Sequence, residues 1–237
     1  MTMEIIERPS PNYNNRAPCA VDMLVLHYTG MISREHALAR LRDPAAEVSS
    51  HYLIDERGLV YRLVAEEYRA WHAGVSCWAG VRDINSRSIG IELVNPGHEL
   101  GYRNFPVLQM QALAELAHGI LARHPIPPHR VLGHSDVAPG RKRDPGERFD
   151  WAWLAGQGVG LWPSQFPINA ALPTDIRDLQ QNLARFGYDV PQTGIYGTGT
   201  RAVVSAFQRH FRPAGANGIA DAETAAILKD LLTQITA

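Results

Sequence analysis

Through the first two thirds of the chain, short apolar runs alternate with longer segments of helical spacing. No other feature limits the possible folds as much. Met23-Leu-Val-Leu26 runs into His27, Ser88-Ile-Gly-Ile-Glu-Leu-Val94 carries one carboxylate, and Arg130-Val-Leu-Gly133 leads into a charged stretch. Runs of this length bounded by polar residues read as buried strands. Between the first two, Ser33 is placed to cap a helix whose apolar face is Ala37, Leu38 and Leu41, ending before Pro44. Before the third, Met110, Leu113, Ala117 and Ile120 predict a helix over 107–123, stopped by Pro125, Pro127 and Pro128. Ser49 to Asp55 and Leu59 to Leu63 flank Glu56-Arg57-Gly58 as a β-hairpin. Ala70-Trp-His-Ala-Gly74 reads as a loop, Asp150 to Leu154 as a short helix, and residues 4–20 as an irregular arm. Strands alternating with helices predict an α/β domain over residues 1–162, with a mixed central sheet flanked by helices.

The character changes after a proline-rich linker at 163–173. Ile176, Leu179, Leu183 and Phe186 mark a helix ended by Gly187. Gly194 to Val204 then aligns without gaps on Gly218 to Leu228, each copy a tight turn feeding a helix. Residues 174–237 are therefore expected to form a small three-helix C-terminal domain whose duplicated units share a core, and to fold by themselves.

The segment His134-Ser-Asp-Val-Ala-Pro-Gly-Arg-Lys-Arg-Asp-Pro-Gly146 reads as a loop from its prolines and glycines. His134 and Asp144 could face one divalent metal with Lys142 beside them, since zinc takes imidazole nitrogen and carboxylate oxygen. A solvated charged loop explains the same composition. His27, at a strand end, is either a satisfied core histidine or a third ligand. Glu92 is costly to bury without a partner, so a central strand would aim it into a polar cavity. Open α/β sheets bind ligands beyond the carboxyl ends of their strands, which is where His27 and the His134 segment both fall. His36, His98, His118, His124, His129 and His210 show no partner pattern and read as surface residues, and His51 reads as structural.

The formal charge of -1 offers no basic stripe for nucleic acid. No apolar run reaches the roughly 20 residues of a membrane span. Cys19 and Cys77 make no disulfide framework. The N-terminal residues carry no secretory pattern, so the cytoplasm is the expected compartment, with the cell envelope as the alternative through export without a cleaved signal.

Leu26-His-Tyr-Thr-Gly30, Ser49-Ser-His-Tyr-Leu-Ile54, Ala70-Trp-His-Ala-Gly74, Ser88-Ile-Gly-Ile-Glu-Leu93 and Gly133 to Gly146 together resemble the type 2 N-acetylmuramoyl-L-alanine amidases, the AmpD- and AmiD-like enzymes of the peptidoglycan-recognition fold. The resemblance spans residues 20–155. It implies a Zn2+ cofactor on His27, His134 and Asp144, a catalytic acid–base at Glu92, and Lys142 beside the developing oxyanion. It also implies hydrolysis of the bond between N-acetylmuramic acid and L-alanine, in peptidoglycan or anhydro-muropeptide. Trp71 and His72 are candidate walls for the substrate, and Arg82, Asn85 and Arg87 candidate partners for stem-peptide carboxylates. Ser50 stands where some relatives have a catalytic tyrosine. Residues 174–232 resemble the type 1 peptidoglycan-binding domain, with Thr193 where that family often has aspartate. The oligomeric state stays open.

Overall fold

The computed structural model of the protein describes residues 3–164 and 175–236, so all but the first two residues of the expected linker fall outside it. The chain opens with β1 (Ile5–Glu7), β2 (Tyr13–Asn15) and β3 (Met23–Tyr28), followed by α1 (Arg34–Arg42). Ser33 caps α1 by accepting from the His36 N–H. β4 (Tyr52–Ile54) and β5 (Val60–Arg62) form the expected antiparallel hairpin. β6 (Tyr68–Ala70), α2 (Ile84–Arg87), β7 (Ser88–Leu93), α3 (Gly97–Leu100), α4 (Val107–Arg123), β8 (Val131–Gly133), α5 (His134–Val137) and α6 (Trp151–Gly156) complete the first part. The N-terminal arm is therefore less irregular than its sequence suggests. β1 pairs in parallel with β5, and β2 pairs antiparallel with β6. Three-residue edge strands carry too little periodicity to be read locally.

The main sheet has the order β1-β5-β4-β7-β3-β8. β4, β7, β3 and β8 run parallel, which makes the sheet mixed and mostly parallel. Side chains alternate between its faces. Leu24, Leu26, Ile89 and Ile91 pack with Leu113, Ala117 and Ile120 of α4, so that helix covers one face. On the other face lie Met23 and Val25 of β3 and Leu132 of β8.

The tail folds as α7 (Ile176–Phe186), α8 (Thr198–Phe211) and α9 (Ala222–Thr236). A buried glutamine clasps each repeated turn. Gln180 accepts from the Gly194 N–H at 2.8 Å and donates to the Ile195 carbonyl and Thr200. Gln208 does the same for Gly218, Ile219 and Thr224.

The tail does not keep its core to itself. Met23, Val25, Trp78, Leu132 and Val137 share one apolar cluster with Leu183, Phe186, Phe207 and Phe211. Ala79 N–H donates to the Gly187 carbonyl at 2.7 Å. Asp136 is the polar centre of this junction. Its Oδ1 accepts from the Tyr188 hydroxyl at 2.6 Å, and its Oδ2 from Gly133 N–H and His210 Nδ1, each at 2.7 Å. His210 is thus buried, stacked between Trp151 and Phe211, rather than on the surface. Its partner lies 74 residues away, a pairing no local pattern announces. His98 and His124 also have partners, Tyr28 and Glu66 respectively.

Candidate metal centre and active site

The segment from 134 to 146 is not loop throughout. Its first four residues form α5, because Asp136 folds back to accept the Gly133 N–H. The turn sets His134 at the carboxyl end of β8, beside the end of β3. His27 and Glu92 are register partners on the parallel strands β3 and β7, so their side chains leave the same face of the sheet. Asp144 returns to the site from the far end of the segment.

His27 Nδ1, His134 Nδ1 and Asp144 Oδ2 form a triangle with edges of 2.9, 3.0 and 3.1 Å. All three residues are buried. The outward bonds of both rings fix which nitrogens face in. His134 Nε2–H donates to the Ala73 carbonyl at 3.0 Å, leaving Nδ1 with its lone pair. For His27 the constraint arrives through a chain. Ser88 Oγ–H donates to the Ile84 carbonyl at 2.7 Å and accepts from His72 Nε2–H at 3.2 Å. His72 Nδ1 then accepts from His27 Nε2–H at 3.0 Å, which bares His27 Nδ1. Bonds of this kind orient metal-ligating imidazoles. Two imidazole lone pairs and a carboxylate oxygen converging within hydrogen-bond distance are a donor set that fits a borderline cation such as zinc.

Burial, and then the neighbouring His134, push the His27 imidazole down to about 4. Burial opposes ionisation of Asp144, yet the two imidazoles hold its carboxyl well below the usual range. The set is thus held in the protonation states a ligand needs. Glu92 behaves oppositely. Burial, and then the Asp144 charge, raise its carboxyl to about 8, with Lys142 pulling the other way. Its Oε2 is buried with no hydrogen-bond partner.

Glu92, His134, Asp144 and Lys142 line a cavity of about 380 Å³ together with Tyr28 and Arg40. His72 also touches it, but its two ring nitrogens are committed to His27 and Ser88. The other residues expected at the substrate are placed elsewhere. Trp71 donates its indole N–H to Asn14 at 2.9 Å. Arg82 is exposed, 3.7 Å from Asp189. Asn85 is buried and accepts from the His72 and Ala73 N–H groups, so it props the loop that holds both histidines. Arg87 pairs with Asp22. The cations that do face the cavity are Arg40, Arg141, Lys142 and Arg143, and of these the sequence assigns a role only to Lys142. Arg141 and Arg143 flank Lys142 in the sequence, and that clustering was the available signal. No helix among the described residues is long and apolar enough to cross a membrane.

Residues 15–147 match the family described as N-acetylmuramoyl-L-alanine amidase, and residues 173–228 one described as a peptidoglycan binding domain. The chain is 42% identical over 231 residues to N-acetylmuramoyl-L-alanine amidase AmiD of Escherichia coli, covering 90% of this chain and 82% of that protein. Among solved structures, AmiD from E. coli in complex with the substrate anhydro-N-acetylmuramic acid-L-Ala-D-γ-Glu-L-Lys superposes with a TM-score of 0.83 at 41% identity, over 93% of each chain. AmpDh3 from Pseudomonas aeruginosa in complex with anhydromuramic pentapeptide also gives 0.83 at 36% identity, over 95% of this chain and 97% of that one.

Proposed function

Because the chain belongs to the N-acetylmuramoyl-L-alanine amidase family, we propose that it hydrolyses the amide between N-acetylmuramic acid and L-alanine, using zinc held by His27, His134 and Asp144. The observation that carries this reading is the buried triangle of ligand atoms with the unpartnered Glu92 carboxylate on the adjacent strand. Bound there, zinc supplies a Lewis acid that polarises the scissile carbonyl and makes water a nucleophile near neutral pH. Glu92 takes a proton from the attacking water and returns it to the departing alanine nitrogen. Its raised affinity for protons suits both halves of that cycle. Lys142 holds positive charge beside the carbonyl oxygen as that atom becomes negative. The cavity lined by Glu92, His134 and Lys142 takes the sugar-linked carbonyl and the first peptide residues.

The test uses anhydro-N-acetylmuramic acid-L-Ala-D-γ-Glu-L-Lys and the zinc-loaded full chain. The expected products are free anhydro-muramic acid and intact tripeptide. Glu92→Ala is expected to keep about one zinc per chain while turnover falls by roughly two to four orders of magnitude, the scale of general acid–base help. Shortened peptides, or zinc lost along with activity in Glu92→Ala, would contradict the assignment.

A further inference from the structure

A second cavity, of about 450 Å³, lies between the 139–143 segment and α8. Lys142, Arg141 and Arg143 form one wall, and Arg201, Ser205 and Arg209 belong to the other. The three residues of the first wall also line the active-site cavity, so the two spaces adjoin across this segment. Five cations and no carboxylate line the cleft, in a chain whose formal charge is -1.

Little of this charge is neutralised. Arg141 bonds to the uncharged carbonyls of Ala73 and Val75. Arg143 pairs with exposed Glu99, and Arg209 lies 3.8 Å from Glu147. Lys142 and Arg201 have no ion-pair partner among the described residues. Cations gathered with so few counter-charges raise the local potential and attract anions. The two walls are also held in register, since Asp136 bonds the catalytic segment to Tyr188 and His210. Arg201 therefore faces Lys142 across a preformed gap, which lowers the ordering cost of binding.

We propose that this cleft is a carboxylate-binding subsite for the peptide side of the substrate, with Arg201 of the C-terminal domain as a specificity residue. The inference rests on the amidase reading above. A γ-linked glutamyl residue leaves its α-carboxylate free, and the residue after it carries a further carboxylate. At about 3.5 Å per extended residue, these groups trail the scissile amide by about two to three residues of chain, and the neighbouring cavity shares the Arg141–Arg143 wall with the active-site cavity. The C-terminal domain then serves as part of the substrate cleft as well as a separate binding unit.

The experiment compares anhydro-N-acetylmuramic acid-L-Ala-D-γ-Glu-L-Lys with the same compound amidated at both peptide carboxyls, using zinc-loaded wild type and Arg201→Glu. Arg201 is exposed, and equal zinc content and equal thermal unfolding check that the variant is intact. Arg201→Glu is expected to raise KM for the carboxylate substrate roughly two- to fivefold, as for a partly exposed charge contact, with kcat held. Its KM for the amidated substrate is expected to match wild type. An unchanged KM for the carboxylate substrate, or an equal rise for both, would overturn the subsite while leaving the amidase reading intact. Failure of wild type to cleave either compound would overturn both.

Discussion

Glu92 makes the stability of the metal-free protein depend on pH in a direction that can be worked out beforehand. Folding raises its carboxyl from 4.5 to about 8, so the native state keeps a proton that the unfolded chain releases. Between those values the native state binds more protons, and stability falls as pH rises. Below pH 4.5 Glu92 imposes no such penalty, and above pH 8 the penalty is complete, at about 4–5 kcal/mol from ~1.4 kcal/mol per tenfold change. Between pH 5.5 and 8.5 the change amounts to about 3 kcal/mol. Glu92→Gln keeps the shape and removes the titration. Urea unfolding of the two metal-free proteins is the assay, because the difference between their pH profiles cancels every other titrating group. The gap, Gln variant minus wild type, is expected to widen by about 3 kcal/mol from pH 5.5 to 8.5. With zinc bound, the ion's charge favours the carboxylate and the gap is expected to shrink. Parallel profiles in the metal-free pair would show that Glu92 is solvated, and would remove the basis for treating it as a strong base.

Two further outcomes follow from packing. A Cβ added at Gly90 would sit 2.5 Å from the His72 ring, so Gly90→Ala is expected to cost about 1–3 kcal/mol by overpacking. It is also expected to weaken zinc binding about 10- to 100-fold, the usual effect of disturbing a ligand's outer partner; isothermal titration and urea unfolding check both, and unchanged zinc affinity would mean that His72 does not orient His27. A chain ending at Ser164 uncovers Met23, Val25, Trp78 and Leu132 and is expected to bind 8-anilinonaphthalene-1-sulfonate and unfold with lost cooperativity, whereas a sharp transition and no dye binding would show that the first domain closes its own core.

The parts of the fold legible in the sequence are those that local pattern determines. The apolar runs around Leu24, Ile91 and Leu132 and the α4 face of Leu113 and Ala117 each declare themselves within a few residues. The duplication of Gly194 to Val204 was equally plain, but Gln180 and Gln208, which clasp its two turns, lie on the preceding helices and outside the aligned window. His27, His134 and Glu92 were legible because polar residues at the ends of buried strands, or within one, are out of place in a core, and Asp144 because it lies in the charged segment that His134 opens. His72 lines the cavity as expected of a wall residue, but its bond to His27 was not legible, since that depends on a ring 45 residues away and on the space left by Gly90. Arg87 looked like a free cation, and only tertiary structure supplies Asp22, 65 residues distant. The expectation of a self-contained tail had the same weakness. Helix periodicity shows that a face is apolar, not which surface it covers.

His134 and Asp136 lie on a single turn, one turned to the ligand triangle and the other to Tyr188 and His210. Any coupling between ion capture and domain docking would run through α5. Whatever factor docking adds to the affinity for the ion, the ion must add to docking. A substitution at Tyr188, far along the chain from every ligand, would then register as a change in metal affinity, and removal of the ion would register as loosening between helices that never touch it.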